Sequence, residues 1–517
     1  MQKSIQMLNK RTLGGLRPQL RCLRTVAPQQ KILGYLDFLS TQKSNDPITN
    51  QWYGQPTWET HPKLIEKTEV APGVQASEFE KRRERLMAKL PDNSVAVLFS
   101  APMRYYSPNV FYPFRQDANF YYMTGWNEPN SVLVLEKSKL AKRGYVMTMY
   151  CMPKDYEKEK WDGPRNGIEC AVEMFGADQA FSISEFSIRA KKLLNSINKK
   201  GSLSLFVDFV GDLREDKAEN PEAIFYKQCK QSLYESAVKV ETLNRLVQEL
   251  RLIKSEAEIK LMQEASDISA SGFAGLFSQC KPGMNEDLLQ SVFEHYSKIG
   301  AKNKSPLTRL AYVPVFAGGD RALVLHYVQN SIEVKDDEML LVDAGMEYAE
   351  YASDITRTFP VNGKFTSAQA DLYDAVLEVQ VASIKRLSST SRESLNDIHR
   401  FSERLFTEQL KRLGFENHSS SFLRDRLYPH HISHYLGINV HDTNVISRSL
   451  ELETGMVVTV EPGLYVPYSN DFPKHFQGIG IRIEDDVVIG KDQSSNIVLT
   501  RNVPKTRDEI EKAMNLI

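Results

Sequence analysis

Residues Glu338–Pro360 read EMLLVDAGMEYAEYASDITRTFP, and the fold follows from how this stretch is parsed. An apolar run, Met339, Leu340, Leu341 and Val342, reads as a buried strand ending on Asp343. A turn region containing Gly345 follows. A second strand-like run then places Asp354 just before the β-branched pair Ile355 and Thr356. Two strands joined by a short connection pair antiparallel, so Asp343 and Asp354 are expected to face each other across a hairpin. Carboxylates brought that close repel unless one is protonated or a cation lies between them. Two turn or edge aspartates would look the same, yet Asp343 closes a buried-looking strand, where an unpaired charge is costly. The stretch therefore points toward a metal.

Three later stretches also set ionisable groups in apolar surroundings. Pro429–Asp442, PHHISHYLGINVHD, holds His430, His431, His434 and His441, four of the ten histidines in the chain. Neutral imidazole is a common metal ligand and a suitable proton donor to a polarised carbonyl. Val457–Tyr465, VVTVEPGLY, ends an apolar strand on Glu461, and the alternation puts Thr459 and Glu461 on one face. Gly478–Asp486, GIGIRIEDD, sets Ile479, Ile481 and Ile483 on one face and Arg482 and Glu484 on the other. A solvated hairpin would alternate in the same way. What favours a site is that several apolar strands each deliver a carboxylate.

If these groups converge, Asp343, Asp354, Glu461 and Glu484 bring four negative charges and His434 none, which two divalent cations balance. Carboxylate oxygens with one imidazole suit manganese, zinc or cobalt better than copper. Two metals roughly 3.5–4 Å apart can acidify a shared water and clamp the tetrahedral intermediate of acyl transfer. HExxH, GxSxG, GxGxxG and GxxxxGK[ST] are all absent, so zincin, serine-hydrolase, dinucleotide and phosphate-loop chemistries have no support.

The rest of the 517 residues frames this pocket. Lys+Arg 65 against Asp+Glu 66 leaves a net charge of −1, so no global field draws nucleic acid. The five cysteines are scattered without a CxxC pair, which argues against a disulfide framework and fits a reducing compartment. No apolar run reaches the length of a membrane span. Residues 1–36 carry seven basic residues and no acidic one, and Leu13, Leu16, Leu20 and Leu23 form an apolar stripe on a basic helix kinked at Pro18. That combination is expected of a mitochondrial transit peptide.

Residues 37–70 are polar and proline-broken, and are expected to lie extended over the surface. A helix is expected from Ser77, capped by that serine, with Phe79, Leu86 and Leu90 on its apolar face. Ser94–Ser100, Phe120–Met123, Ser131–Glu136, Tyr145–Cys151 and Gly201–Phe209 read as strands of an amino-terminal α/β domain, 71–247. In the second domain, 248–517, Ser255 and Glu258 form a capping box. Helices are expected over about 284–298, 366–388 and 393–413, and strand runs over 307–330, 339–360, 455–466 and 478–490. Strands and helices intermix without regular βαβ alternation, which points to an α+β class.

The ordered set DAG…SDITRTFP, HHISHYLGINVHD, VEPGLY and GIRIEDD resembles the aminopeptidase P, prolidase and creatinase family, with its pita-bread fold. Tyr112–Gly125, YPFRQDANFYYMTG, is similar to the amino-terminal domain of aminopeptidase P, and Gln55–Pro62 after a basic leader is similar to the mitochondrial branch. The resemblance implies a metallo-aminopeptidase with two divalent ions, Mn2+ before Zn2+ or Co2+. It implies that Asp354 and Glu484 bridge the ions, Asp343 completes one shell, and His434 and Glu461 complete the other. Glu461 also serves as general base. His326 and His441 contact the peptide and its scissile carbonyl, His430 lines the cleft, and Arg482 orients carboxylates from behind. One departure is His431, where many family members have glycine; it could narrow the cleft or alter substrate choice.

The function this implies is removal of a single amino-terminal residue from imported mitochondrial proteins after presequence cleavage, in the matrix. Contact with the inner-membrane face and a homo-oligomer are compatible with it. The alternatives are an Xaa-Pro aminopeptidase acting on proline-containing peptides, and a non-catalytic pita-bread binding protein.

Overall fold

Strand alternation in the amino-terminal half builds one mixed sheet from β1 (Ser94–Phe99), β2 (Val132–Lys137), β3 (Tyr145–Cys151), β4 (Gln179–Ser182), β5 (Ser204–Asp208) and β6 (Val240–Thr242). The spatial order is β6-β5-β1-β2-β3-β4, with β1 antiparallel to β2 and parallel to β5. Every residue of β1 is buried, because the sheet is covered on both faces. Ala96 and Leu98 pack with Phe79 and Leu86 of helix α1 (Ala76–Lys89). Val95, Val97 and Phe99 pack on the other side with Phe186, Leu194 and Phe225. The computed structural model describes residues 53–200, 204–209, 220–235 and 240–515. The basic leader 1–36, and residues 37–52 beyond it, lie outside the described residues.

Three local expectations are corrected here. Helix α1 starts at Ala76 with Gln75 at its cap and no side-chain cap bond, so Ser77 sits inside the helix rather than capping it. Phe120–Met123 is not a strand but the middle of helix α2 (Ala118–Thr124). Asp117 accepts a hydrogen bond from Phe120 N at one end, and Gly125 adopts φ +70° at the other. These two caps override the β-preference of the aromatic run. Residues 53–68 form mainly turns and bends rather than extended chain, leading into a short strand at Glu69–Ala71, with Gln55 buried: it donates to Gly125 O and accepts from Asn127 N.

In the second half, helix α3 (Glu256–Gln279) carries the expected capping box between Ser255 and Glu258. It lies tightly against α4 (Glu286–Ala301). A Cβ on Gly272 or Gly275 would come within 2.3 Å of Ser297 or Tyr296, so glycine there sets the helix spacing. The run 307–330 is not one long strand. It contains β7 (Thr308–Leu310) and β8 (Val315–Gly318), then a 3-10 turn, Gly319–Leu323, and irregular chain carrying His326.

Strands β8, β9 (Met339–Asp343) and β12 (Thr356–Pro360) form an antiparallel sheet in which Asp343 faces Thr356. The connection from β9 to β12 is not a single turn. It detours through a second hairpin, β10 (Met346–Tyr348) and β11 (Tyr351–Ala352), which pairs with β7. The hairpin turns on Ala349 and Glu350, both at left-handed φ. Gly345 opens the detour because a Cβ there would meet the Ser353 carbonyl oxygen at 2.0 Å. Helices α5 (Ser367–Arg386) and α6 (Leu395–Arg412) lie on the expected stretches. Strands β13 (Val457–Val460), β14 (Gly463–Tyr465), β15 (Gly480–Arg482) and β16 (Asp485–Val488) pair as β13 with β16 and β14 with β15. The intermixed order is α+β, as expected. The four described cysteines are buried and unbridged.

Candidate metal centre

Four strand ends and one irregular segment meet. Asp343 is the last residue of β9, and Asp354 stands two residues before β12. Glu484 occupies the turn between β15 and β16, where its N–H donates to Thr356 O at 3.1 Å. The histidine segment runs alongside β13: Thr459 N donates to His434 O at 3.0 Å, and Glu461 N donates to Ile432 O at 2.8 Å. His434 N also donates to Thr459 Oγ1 at 3.2 Å. These bonds put His434 beside Glu461 and opposite Asp354.

Acceptor atoms face one another across the centre. His434 Nδ1 lies 3.1 Å from the Tyr435 carbonyl, so that nitrogen carries the proton in the neutral ring. Its Nε2, free to act as a ligand once a cation displaces its proton, lies 3.3 Å from Asp354 Oδ2 and 3.8 Å from Glu461 Oε1. The ligand-capable atoms of Asp354, His434 and Glu484 lie within 4.8 Å of one another. Tyr312, between β7 and β8, places its hydroxyl 2.8 Å from Asp343 Oδ1 and 2.6 Å from Asp354 Oδ1. One hydroxyl proton cannot serve both.

The protonation pattern records the same crowding. Burial pushes the carboxyl of Glu484 well above its ordinary range, and the charges of Asp354, Glu461 and Asp343 push the same way. Glu461 is raised to about 7, mainly by burial. Burial also raises Asp343, against the opposing pull of Arg482. Burial works against the charge on Asp354 too, but bonds from His434 and Tyr312 outweigh it and lower that carboxyl. Burial disfavours charge on His434, yet Asp354 and Glu461 raise it to about 8. Four carboxylates with one guanidinium among them is an arrangement that asks for cations. The donor set, oxygens plus one imidazole whose other nitrogen is held by a carbonyl, fits divalent metal.

Arg482 is 4% exposed and donates to Asp343 Oδ2 at 2.6 Å and to the Tyr465 hydroxyl at 2.9 Å. Its Nε donates to Thr356 Oγ1 at 3.1 Å, and that hydroxyl donates to Glu484 Oε2 at 2.6 Å. Arg482 therefore orients one carboxylate directly and another through a threonine. His430 Nε2 lies 2.9 Å from the Tyr465 hydroxyl, and its Nδ1 lies 3.0 Å from the His431 carbonyl and 3.6 Å from Glu461 Oε2. Burial and the neighbouring Arg482 lower His430 to about 3, so it stays neutral.

His441 and His326 are exposed at the rim. The His441 ring stands edge-on to His434 with centroids 4.6 Å apart. Partial screening from water and the neighbouring His434 lower its imidazole. His431 does not enter this space. It stacks on His399 of α6 at 4.5 Å, and its Nε2 lies 3.2 Å from Asn396 Oδ1.

Two residues went unread in the sequence. Tyr312 lies in an irregular link with no motif around it. Asp486 accepts from Asp354 N at 3.0 Å, and its other oxygen has no hydrogen-bond partner. Burial raises its carboxyl well above the ordinary range. It is the second aspartate of the IEDD run, where alternation with Glu484 puts both on one face.

Residues 260–491 match the family described as Metallopeptidase family M24, and residues 79–201 match Aminopeptidase P, N-terminal domain. Intermediate cleaving peptidase 55 of Saccharomyces cerevisiae is 39% identical over 473 residues, 89% of this chain and 88% of that protein. Its solved structure is similar at TM-score 0.75 and 36% identity, covering 87% of this chain and 99% of that one. Xaa-Pro aminopeptidase 3 of Mus musculus is 40% identical over 486 residues, 90% of this chain and 91% of that protein. The zinc-substituted aminopeptidase P of Escherichia coli in complex with product is similar at TM-score 0.75 and 33% identity, covering 85% of this chain and 98% of that one.

Proposed function

The chain belongs to the aminopeptidase P family of M24 metallopeptidases and is a metallo-aminopeptidase, and from that membership we propose that it removes one amino-terminal residue from mitochondrial proteins whose presequences have been cleaved. The likeness to intermediate cleaving peptidases supports the substrate class, and the basic leader with its leucine stripe supports the mitochondrial matrix. No helix among the described residues is long and apolar enough to cross a membrane.

The observation that carries the chemistry is the buried ring of acceptors around His434 Nε2. Asp343, Asp354, His434, Glu461 and Glu484 would hold two divalent ions, with manganese the preferred metal. Bound there, the ions would acidify water and polarise the scissile carbonyl. Glu461 takes the proton from the attacking water and hands it to the leaving amine. His430, kept neutral, lines the cleft 3.6 Å from Glu461. His441 donates to the carbonyl oxygen of the scissile bond, and His326 holds the peptide at the rim. Arg482 fixes Asp343 and, through Thr356, Glu484.

The test compares the amino termini of mitochondrial proteins with and without this protein. One-residue extensions are expected when it is missing, and unchanged termini would refute the processing role. The likeness to Xaa-Pro aminopeptidase 3 favours a second reading, cleavage only before proline. Peptides with and without proline in second position separate the two, and strict dependence on proline would select the second.

A further inference from the structure

The loop bearing His441 is held by residues remote from the carboxylates. Gly437–Asp442 is closed from inside by Asp442, which is 3% exposed. Asp442 N donates to Tyr435 O at 2.9 Å. Its Oδ1 accepts from Asn439 N at 3.3 Å and from Arg251, and its Oδ2 accepts from Lys254 Nζ at 3.2 Å. The outer flank of the loop is held by Arg115, which arrives from the YPFRQ segment after the amino-terminal aromatic hairpin. Arg115 donates to Ile438 O at 2.6 Å, to Asn439 Oδ1 at 3.0 Å and to the buried Glu347 at 3.2 Å. Its own backbone is pinned in turn, because Arg309 donates to Phe114 O at 2.6 Å.

His441 is exposed, and its ring contact is the edge-on one with His434. Side-chain packing therefore does little to place this imidazole; the main chain two residues upstream does. A planar guanidinium spanning three acceptors in different directions fixes that main chain in a way an ammonium cannot. Arg115 touches none of the carboxylates at the centre.

We propose that Arg115 is a positioning residue for peptide hydrolysis: by clamping Ile438 and Asn439 it sets where His441 stands relative to the scissile bond. The amino-terminal half of the chain thereby contributes to the chemistry. This rests on the assignment of His441 made above. Removing Arg115 strands no buried charge, since Glu347 keeps its pairing with Arg309, so the fold survives the test.

The test uses the full chain loaded with manganese and a peptide with a free amino terminus. Arg115→Ala is expected to lower kcat by about ten- to a hundredfold, the scale of a small misplacement of a reacting group, with KM changed less than about twofold. Arg115→Lys is expected to recover little. In a His441→Ala background, Arg115→Ala is expected to cost nothing more, because both act through one group. Amide exchange over 437–442 is expected to quicken while that of β9 and β12 does not. Should Arg115→Ala fail to fold, Asn439→Ala breaks one of the same bonds from the other side and is expected to lower kcat in the same direction. An unchanged kcat in a folded variant, or losses that multiply across the double variant, would overturn the proposal. Absence of hydrolysis by the unaltered protein would instead refute the proposed function itself.

Discussion

Replacing Asp442 by asparagine tests the electrostatics under the histidine loop. The shape is kept and one negative charge is lost. Asp442 lies between Arg251 and Lys254, with all three side chains at most 3% exposed. Burial alone would raise its carboxyl, and the two cations overcome that and lower it. Without it, two buried cations face each other with no anion between them. Breaking a buried pair in this way costs about 3–5 kcal/mol. For a unit the size of Trp52–Ile517 the unfolding entropy is roughly 1 kcal/mol per degree, so Tm should fall by about 3–5 °C near neutral pH.

The sign of the pH dependence follows from Lys254. Burial already lowers its pKa despite the pull of Asp442, and the substitution removes that pull. A lysine whose folded pKa lies below its unfolded value loses stability as pH falls through the folded pKa. The variant should therefore recover toward the parent as pH rises toward the ordinary lysine range, because Lys254 sheds its proton more readily in the folded protein. Adding Lys254→Met should restore part of the loss at neutral pH. Calorimetry on metal-loaded protein across that range is the assay. A Tm unchanged by Asp442→Asn, or a double variant less stable than the single one, would show that the pairing has been misjudged.

Three further outcomes are expected. Glu461→Gln keeps the volume of the side chain and should lower kcat by about 10²–10⁴ while Tm stays within a degree or two, measured by peptide hydrolysis beside calorimetry. Tyr312→Phe removes the hydroxyl between Asp343 and Asp354 and should weaken metal binding by about 10–100-fold, read by titration against a chelating indicator. Stripping metal should leave a protein whose Tm falls as pH rises from about 4.5 to about 7. Glu461 is raised to about 7 in the metal-free state, and a raised carboxyl gives stability that is lost as pH climbs through its folded value. Reloading metal should flatten that slope, and a flat metal-free curve would contradict the crowding argument.

What could be read from the chain was set by periodicity and end signals. The Ser255–Glu258 box and the apolar runs ending on Asp343 and Glu461 were legible because each depends on neighbours in sequence. The detour Met346–Ala352 was not, since the turn at Ala349 and Glu350 uses left-handed backbone without glycine, and no turn residue announces it. The strand expected at Phe120–Met123 failed where two caps outweighed propensity. Asp117 and Gly125 were the signals available, seven residues of helix apart. Tyr312 had none at all, because its place between two aspartates is purely a matter of tertiary geometry. The direction taken by His431, toward His399 rather than into the cleft, is of the same kind.

Asp485, beside Glu484, is gripped by Arg357, Thr500 and Lys505, and Arg357 also donates to Val503 O and Pro504 O. The pocket is thus bolted from behind by the segment 500–505. Because Asp485 is the next residue after Glu484, any slack in this backing would reach a proposed ligand within one peptide unit.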